Sequence, residues 1–188
     1  MRKIIAAFRM SLDGFIEAAN GNQDWVDSWG DIFELTPQID TCILGGGMYP
    51  GYEGYWSAVL ANPNSILPTG KPPVADEIEY AHFAEKTPHI VLSTKLKEVK
   101  WKNTRVVSNM EEIQNLKQQS GKDIYAVGGP TFVSSLMKLR LIDELRLLIN
   151  PVILGGGKAL FKDVSERQVL KLVDAKPFQS GVKLIFNM

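Results

Sequence analysis

Short apolar runs that end on glycine or on a turn residue recur along this chain, separated by stretches with helical spacing. Ile4 to Phe8 reads as a buried strand, and Ser11-Leu12-Asp13-Gly14 follows as a turn, because Asp-Gly tolerates positive φ. Phe15-Ile16 is a short extended piece, and residues 20–24 form a polar loop. Trp25, Trp29 and Ile32-Phe33 recur at helical spacing, which predicts a helix from Trp25 to Leu35, ended by Thr36-Pro37. Thr41 to Leu44 is a second buried strand. The aromatic stretch after it, with Tyr49, Tyr52, Tyr55 and Trp56, is interrupted by Pro50, Gly51 and Gly54, which argues against a long helix there. Residues 62–73 hold Pro63, Pro68, Pro72 and Pro73 and read as an extended surface loop.

The second half repeats the alternation. Val74 to Glu85 is predicted helical, and His89 to Leu92 and Thr104 to Val107 are predicted strands. Ser108 followed three residues later by Glu111 forms a capping-box pattern that opens a helix through about Gln119. Asp123 to Val127 is a strand and Pro130 to Leu139 a helix. Asp143 to Ile149, Val169 to Phe178 and Val182 to Phe186 are strands, the last two joined by a hairpin turn at Ser180-Gly181. Strands alternate with helices to about residue 140, and strands dominate thereafter. This predicts an α/β fold in one domain spanning residues 1–188, with a mostly parallel central sheet, helices on both faces and an antiparallel C-terminal edge.

Composition narrows the function classes. The 188 residues are 45% apolar, enough for one sizeable core. Lys plus Arg and Asp plus Glu both total 21, so no basic excess points to nucleic acid or an anionic membrane as partner. Cys42 is the single cysteine, inside an apolar run, so no intrachain disulfide forms. His82 and His89 have no cysteines at zinc spacing, and no metal site is expected. Arg9 ends the first apolar run short of the ~7–15 residues of a secretory core, and no run reaches the ~18–20 residues of a membrane span. A cytoplasmic protein is expected.

Candidate chemistry lies where glycines follow strands. Gly45-Gly46-Gly47, Gly128-Gly129 and Gly155-Gly156-Gly157 each come directly after an apolar run. Such positions admit a ligand or another backbone without a Cβ in the way, and open α/β sheets bind ligands at the carboxyl ends of their strands. At Val127-Gly128-Gly129-Pro130-Thr131 a helix starts on proline, and its free N–H groups suit a diphosphate, with Thr131 adding a hydroxyl donor. No Gly-x-Gly-x-x-Gly follows the first strand, so the dinucleotide fingerprint of common dehydrogenases is absent. The third run reads as mainly architectural.

Four segments together resemble the dihydrofolate reductase-like superfamily, in particular the branch of the C-terminal reductase domain of riboflavin-biosynthesis deaminase-reductases. They are Ser11-Leu12-Asp13-Gly14, then Leu44-Gly45 through Tyr49 with Tyr55-Trp56, then Val91-Leu92-Ser93-Thr94, and finally Val127-Gly128-Gly129 through Asp143-Glu144-Leu145 to Leu154-Gly155. The resemblance implies NADPH as cofactor and a homodimer. It implies that Gly45, Gly46 and Gly47 approach the cofactor's phosphates and that Ser93, Thr94 and Lys95 flank its adenosine end. Gly128, Gly129, Pro130 and Thr131 would hold the diphosphate. Family members commonly carry arginine where Gly46 stands, and riboflavin-pathway members tend to carry glutamate where Val127 stands and lysine where Ala7 stands.

For the substrate, Asp13 is either a plain turn residue beside Gly14 or the carboxylate nearest the reaction. Asp27 and Asp31, expected on the helix after Trp25, are further catalytic candidates. Ser11, Trp25, Trp29 and Tyr49 are candidate substrate contacts, the two tryptophans forming an aromatic wall for a flat heterocycle if they lie at i and i+4 of one helix. The expected function is NADPH-dependent reduction of a small pteridine- or pyrimidine-like heterocycle. The alternative is a nucleotide-binding or ligand-sensing relative without catalysis.

Overall fold

The computed structural model describes residues 1–67 and 70–188; Pro68 and Thr69, in the expected proline-rich loop, lie outside the described residues. In chain order the elements are β1 (Ile4–Ser11), β2 (Phe15–Ala18), β3 (Ile39–Gly45), α1 (Tyr49–Ala61), α2 (Ala75–Lys86), β4 (His89–Leu92) and β5 (Thr104–Val107). They continue as α3 (Glu111–Gln118), β6 (Asp123–Val127), α4 (Pro130–Lys138), β7 (Glu144–Asn150), β8 (Gly157–Ala159), β9 (Lys171–Phe178) and β10 (Gly181–Asn187). The chain forms two units. One takes Met1–Arg2 with Ser28–Gly128, the other Lys3–Asp27 with Gly129–Met188.

In the first unit the strands run in the order β5-β4-β3-β6, and every neighbouring pair is parallel. Their carboxyl ends therefore share one edge, where Gly45 pairs with Leu92 and Leu92 with Val107. Ile43, Leu44, Val91 and Ile124 are fully buried, as parallel strands covered on both faces require. Helix α3 caps differently from the sequence pattern. The N-cap is Met110, two residues after Ser108, and Asn109 Oδ1 rather than Ser108 accepts the Glu112 N–H at 3.1 Å.

Two expectations in this unit are overturned. The stretch from Tyr49 is a full helix of 13 residues despite its glycines. Pro50 sits in the first turn, where its missing N–H costs nothing, and Tyr49, Tyr52, Trp56 and Val59 bury one side of the helix. Burying such side chains, at roughly 1.5–3 kcal/mol each, outweighs about 1 kcal/mol per glycine. The segment from Trp25 to Leu35, expected as a helix, is a succession of turns. There Asp31 accepts the N–H groups of Leu35 at 2.8 Å and Thr36 at 2.6 Å, and Glu77 accepts that of Trp29 at 2.8 Å. Carboxylates thus take backbone donors that a helix would have used itself.

In the second unit the order is β1-β7-β10-β9, with β1 parallel to β7 and the last three strands antiparallel. The mostly parallel α/β arrangement with an antiparallel C-terminal edge is as the sequence predicts. A small second sheet pairs β2 with β8, a strand absent from the sequence reading. Gly157 is architectural there: with φ +145, a Cβ on it would lie 2.1 Å from the Glu17 carbonyl oxygen.

Register sorts the antiparallel edge into two unlike faces. Leu172, Ala175 and Pro177 of β9 lie opposite Phe186, Leu184 and Val182 of β10, which lie opposite Leu145, Leu147 and Ile149 of β7. All of these are apolar. The other face holds Glu144, Arg146, Asp174, Lys176 and Lys183 among its residues. Cover on the apolar face falls away toward the edge, from Leu145 at 0% exposed to Val182 at 40% and Leu172 at 53%. Among the described residues no helix is long and apolar enough to cross a membrane.

Candidate functional site

The loops that leave β3, β4 and β5 enclose a cleft of about 430 Å³ lined by Gly46, Gly47, Leu92, Ser93, Thr94, Lys95, Ser108 and Met110. Its walls follow from the parallel ladder. Gly46 N–H donates to the Leu92 carbonyl and Ser93 N–H to that of Val107, both at 2.9 Å, so the three chains leave the sheet side by side. Gly46 is glycine because of this closeness: a Cβ on it would lie 2.4 Å from Ser93 Oγ and 2.5 Å from Ser93 Cβ. Gly47 has no heavy atom within 4 Å of that position and opens onto free space.

Ser93 Oγ accepts the N–H groups of Leu96 at 2.9 Å and Lys95 at 3.2 Å, which folds the β4 exit into a tight turn. Thr94 and Lys95 are exposed on that turn. Lys95 is the sole charged residue of the lining. Hydroxyl groups, a cation and bare backbone at one strand-end edge can bind a phosphate-bearing nucleoside. The structure thus brings together Gly46, Gly47, Ser93, Thr94 and Lys95, with Gly45 at the adjoining strand end. Ser108 and Met110 were missed, since their sequence signal reads only as a helix cap.

In the second unit α4 opens at Pro130 after Gly129, whose missing Cβ would meet nothing within 4 Å. Thr131 Oγ1 donates to Asp163 Oδ2 at 3.2 Å. The β1 exit is a network of its own. Ser11 is buried and its Oγ accepts the Phe15 N–H at 2.9 Å. Asp13 accepts the N–H of Gly155 at 2.8 Å and of Leu154 at 3.2 Å. The Ser11 hydroxyl holds the Asp13 carboxyl below the usual carboxylate range; desolvation opposes it, and the backbone donors of Gly155 and Leu154 add to the lowering. Asp13 is therefore ionised at neutral pH and ties down the third glycine run.

The remaining candidates fall in both units. Asp27 is exposed, Asp31 is committed to the backbone of Leu35 and Thr36, and Trp25 and Trp29 fall in different units on non-helical chain. The i, i+4 wall therefore does not form. The buried indole N–H of Trp25 has no acceptor among the described residues. Tyr49 is 1% exposed and its hydroxyl donates to Glu53 Oε1 at 2.6 Å, so it packs in the core. Glu53, unremarked in the sequence, also accepts the N–H groups of Lys100 and Trp101 at 2.8 Å and anchors the segment before β5.

Comparison with known proteins identifies the family and the fold. The family model described as the RibD C-terminal domain matches residues 2–184. The Bacillus subtilis (strain 168) protein YyaP is 34% identical over 184 residues, covering 96% of this chain and 92% of its own. Among solved structures, a diaminohydroxyphosphoribosylaminopyrimidine deaminase/5-amino-6-(5-phosphoribosylamino)uracil reductase of Thermotoga maritima superposes with a TM-score of 0.62 at 17% identity, covering 99% of this chain and 56% of that one. Dihydrofolate reductase of Enterococcus faecalis, complexed with NADP(H), superposes with a TM-score of 0.59 at 15% identity, covering 98% and 95%.

Proposed function

The chain belongs to the RibD C-terminal domain family, a family of reductases with the dihydrofolate reductase-like fold, and from that membership we propose that it is an NADPH-dependent reductase of a small pyrimidine- or pteridine-like heterocycle. The observation that carries the reading is the cleft at the carboxyl ends of β3, β4 and β5. Ser93, Thr94 and Lys95 would take the adenosine 2′-phosphate, and the bare backbone at Gly46-Gly47 leaves room for the ribose and its phosphates. Lys95 acts as a flexible point charge. Gly128, Gly129, Pro130 and Thr131 would receive the diphosphate on the free N–H groups of α4. When bound, the nicotinamide supplies the hydride, and the protein supplies position and exclusion of water.

Asp13, ionised and held by Leu154 and Gly155, is a positioning residue in this reading. The buried Trp25 indole supports a heterocycle site, because a buried N–H without an acceptor costs stability unless a ligand or water meets it. The protein works in the cytoplasm as a homodimer joined through the apolar face of β7, β10 and β9. A second reading, nucleotide binding without turnover, is favoured by Asp13 alone, whose low pKa removes it as a proton donor.

The test is titration with NADPH by nicotinamide fluorescence, then NADPH oxidation with a panel of dihydropteridines, aminopyrimidine ribosides and their phosphates. Saturable binding with oxidation by one of the panel is expected. Binding without any oxidation supports the second reading, and absence of binding at millimolar NADPH refutes both.

A further inference from the structure

The segment that joins β4 to β5 carries the densest run of cations in the chain. Lys95, Lys97, Lys100 and Lys102 fall within eight residues, with Arg105 just beyond and Glu98 the one acid among them. Its apolar positions turn inward: Leu96 and Val99 are half-buried and Trp101 is buried, while all four lysines are exposed. The segment is pinned along its length. Leu96 N–H donates to Ser93 Oγ at 2.9 Å, the Lys100 and Trp101 N–H groups to buried Glu53 at 2.8 Å, and the Trp101 indole to Ser57 at 3.1 Å. Asn103 Nδ2 donates to the carbonyls of Glu85 at 2.9 Å and Thr87 at 2.6 Å. The lysine side chains therefore leave a fixed backbone. Among the described residues their ammonium groups have no ion-pair partner, whereas Arg105 is paired with Glu112 at 2.8 Å. Helix α2, in the same unit, is acidic, with Asp76, Glu77, Glu79 and Glu85 against Lys86.

We propose that Lys97, Lys100 and Lys102 form an electrostatic rail that draws the phosphorylated adenosine end of the cofactor toward the cleft. They raise its association rate without holding it once bound. This rests on the cofactor reading above. Lys95 lies in the cleft lining and makes the contact, and the other three sit on the chain that leads away from it. From Lys95 to Lys102 the chain reaches at most about 25 Å. Charges act over about 30 Å at 0.01 M salt and about 8 Å at physiological salt, so the rail's field covers the cleft mouth although only Lys95 lines it. Exposed lysines held apart from the docked ligand add little to its binding energy. Fields of one sign around a cleft raise on-rates by ~10–10³, and three charges supply the lower end of that range. The short rail, beside an acidic helix, suits the few phosphates of a nucleotide rather than a long polyanion.

Stopped-flow mixing with 1,N6-ethenoadenosine 2′,5′-bisphosphate, a fluorescent probe of the adenosine end, measures association and dissociation separately. One variant combines Lys97→Gln, Lys100→Gln and Lys102→Gln, and a second replaces the same three lysines with arginine. At low salt the glutamine variant is expected to lose about threefold to tenfold in association rate, with dissociation within about twofold of native. The arginine variant keeps native rates, and at ~1 M salt all three proteins associate alike. An unchanged association rate, or a loss that sits in dissociation or persists at ~1 M salt, overturns the proposal and leaves the cofactor reading intact. Tighter binding of a single-stranded oligonucleotide than of the probe, lost in the glutamine variant, also overturns it and marks a nucleic-acid surface instead. Failure to bind the probe while NADPH still binds overturns the rail alone. Absence of saturable binding of both ligands to all three proteins overturns the rail and the cofactor reading together.

Discussion

Gly46→Ala places a methyl group where the native structure has no room for one. The new Cβ would lie 2.4 Å from Ser93 Oγ, 2.5 Å from Ser93 Cβ and 3.3 Å from the Leu92 carbonyl oxygen. Rotating the Ser93 side chain relieves the first contact only, since Cβ moves with the backbone. The β4 exit must shift, and with it the turn that Ser93 Oγ closes onto Lys95 and Leu96. Overpacking of this kind costs about 1–3 kcal/mol, or roughly 2–12 °C in Tm for a chain of this size. Gly47→Ala is the control, because its Cβ would meet nothing within 4 Å and neither glycine has positive φ. Thermal denaturation of the three proteins is expected to show loss for Gly46→Ala and a change of under about 0.5 kcal/mol for Gly47→Ala. Titration should show NADPH affinity reduced at least tenfold in Gly46→Ala. Equal melting of both variants, or a native Tm for Gly46→Ala, would refute the close-approach explanation of this glycine.

Two further outcomes follow from the packing. His89 is fully buried among Tyr49, Tyr52 and Trp101, and burial pushes its pKa from 6.5 down to about 4. Above pH 6.5 the ring is neutral in folded and unfolded chains alike; below it the unfolded chain takes the proton first. Stability should therefore fall between pH 6.5 and about 4 by roughly 3 kcal/mol, at ~1.4 kcal/mol per pH unit, and urea denaturation of His89→Phe should lack that component. An unchanged pH slope in the variant would contradict the assignment. Leu172→Glu combined with Val182→Glu, on side chains 53% and 40% exposed, should convert a dimer to a folded monomer in sedimentation or light scattering. A native chain that is monomeric at tens of micromolar would remove the dimer from the account.

Most strands were legible because they are short apolar runs closed by a turn residue, whereas β8, Gly157–Ala159, has no such run and was not. Gly46, Gly47, Ser93, Thr94 and Lys95 were legible as separate strand-end signals, and parallel pairing of β3, β4 and β5 is what gathers them. Helix α1 was not, since the burial of Tyr52 and Trp56 that offsets Gly51 and Gly54 is a tertiary effect. The Trp25 to Leu35 segment has helical spacing yet stays irregular, because its backbone donors are taken by Asp31 and by Glu77, about fifty residues away. Asp163 at Thr131 and Glu53 at Trp101 are equally long-range and left no local pattern to read.

The central claim is that the cleft at the ends of β3, β4 and β5 holds the adenosine 2′-phosphate of NADPH. Parallel titrations of NADPH and NADH with the native chain and with Lys95→Ala test it most directly. The account predicts that the native chain binds NADPH at least tenfold more tightly than NADH, and that Lys95→Ala weakens NADPH alone until the two cofactors bind alike. Equal affinity of the native chain for both cofactors, or a loss in Lys95→Ala shared by NADH, would contradict it.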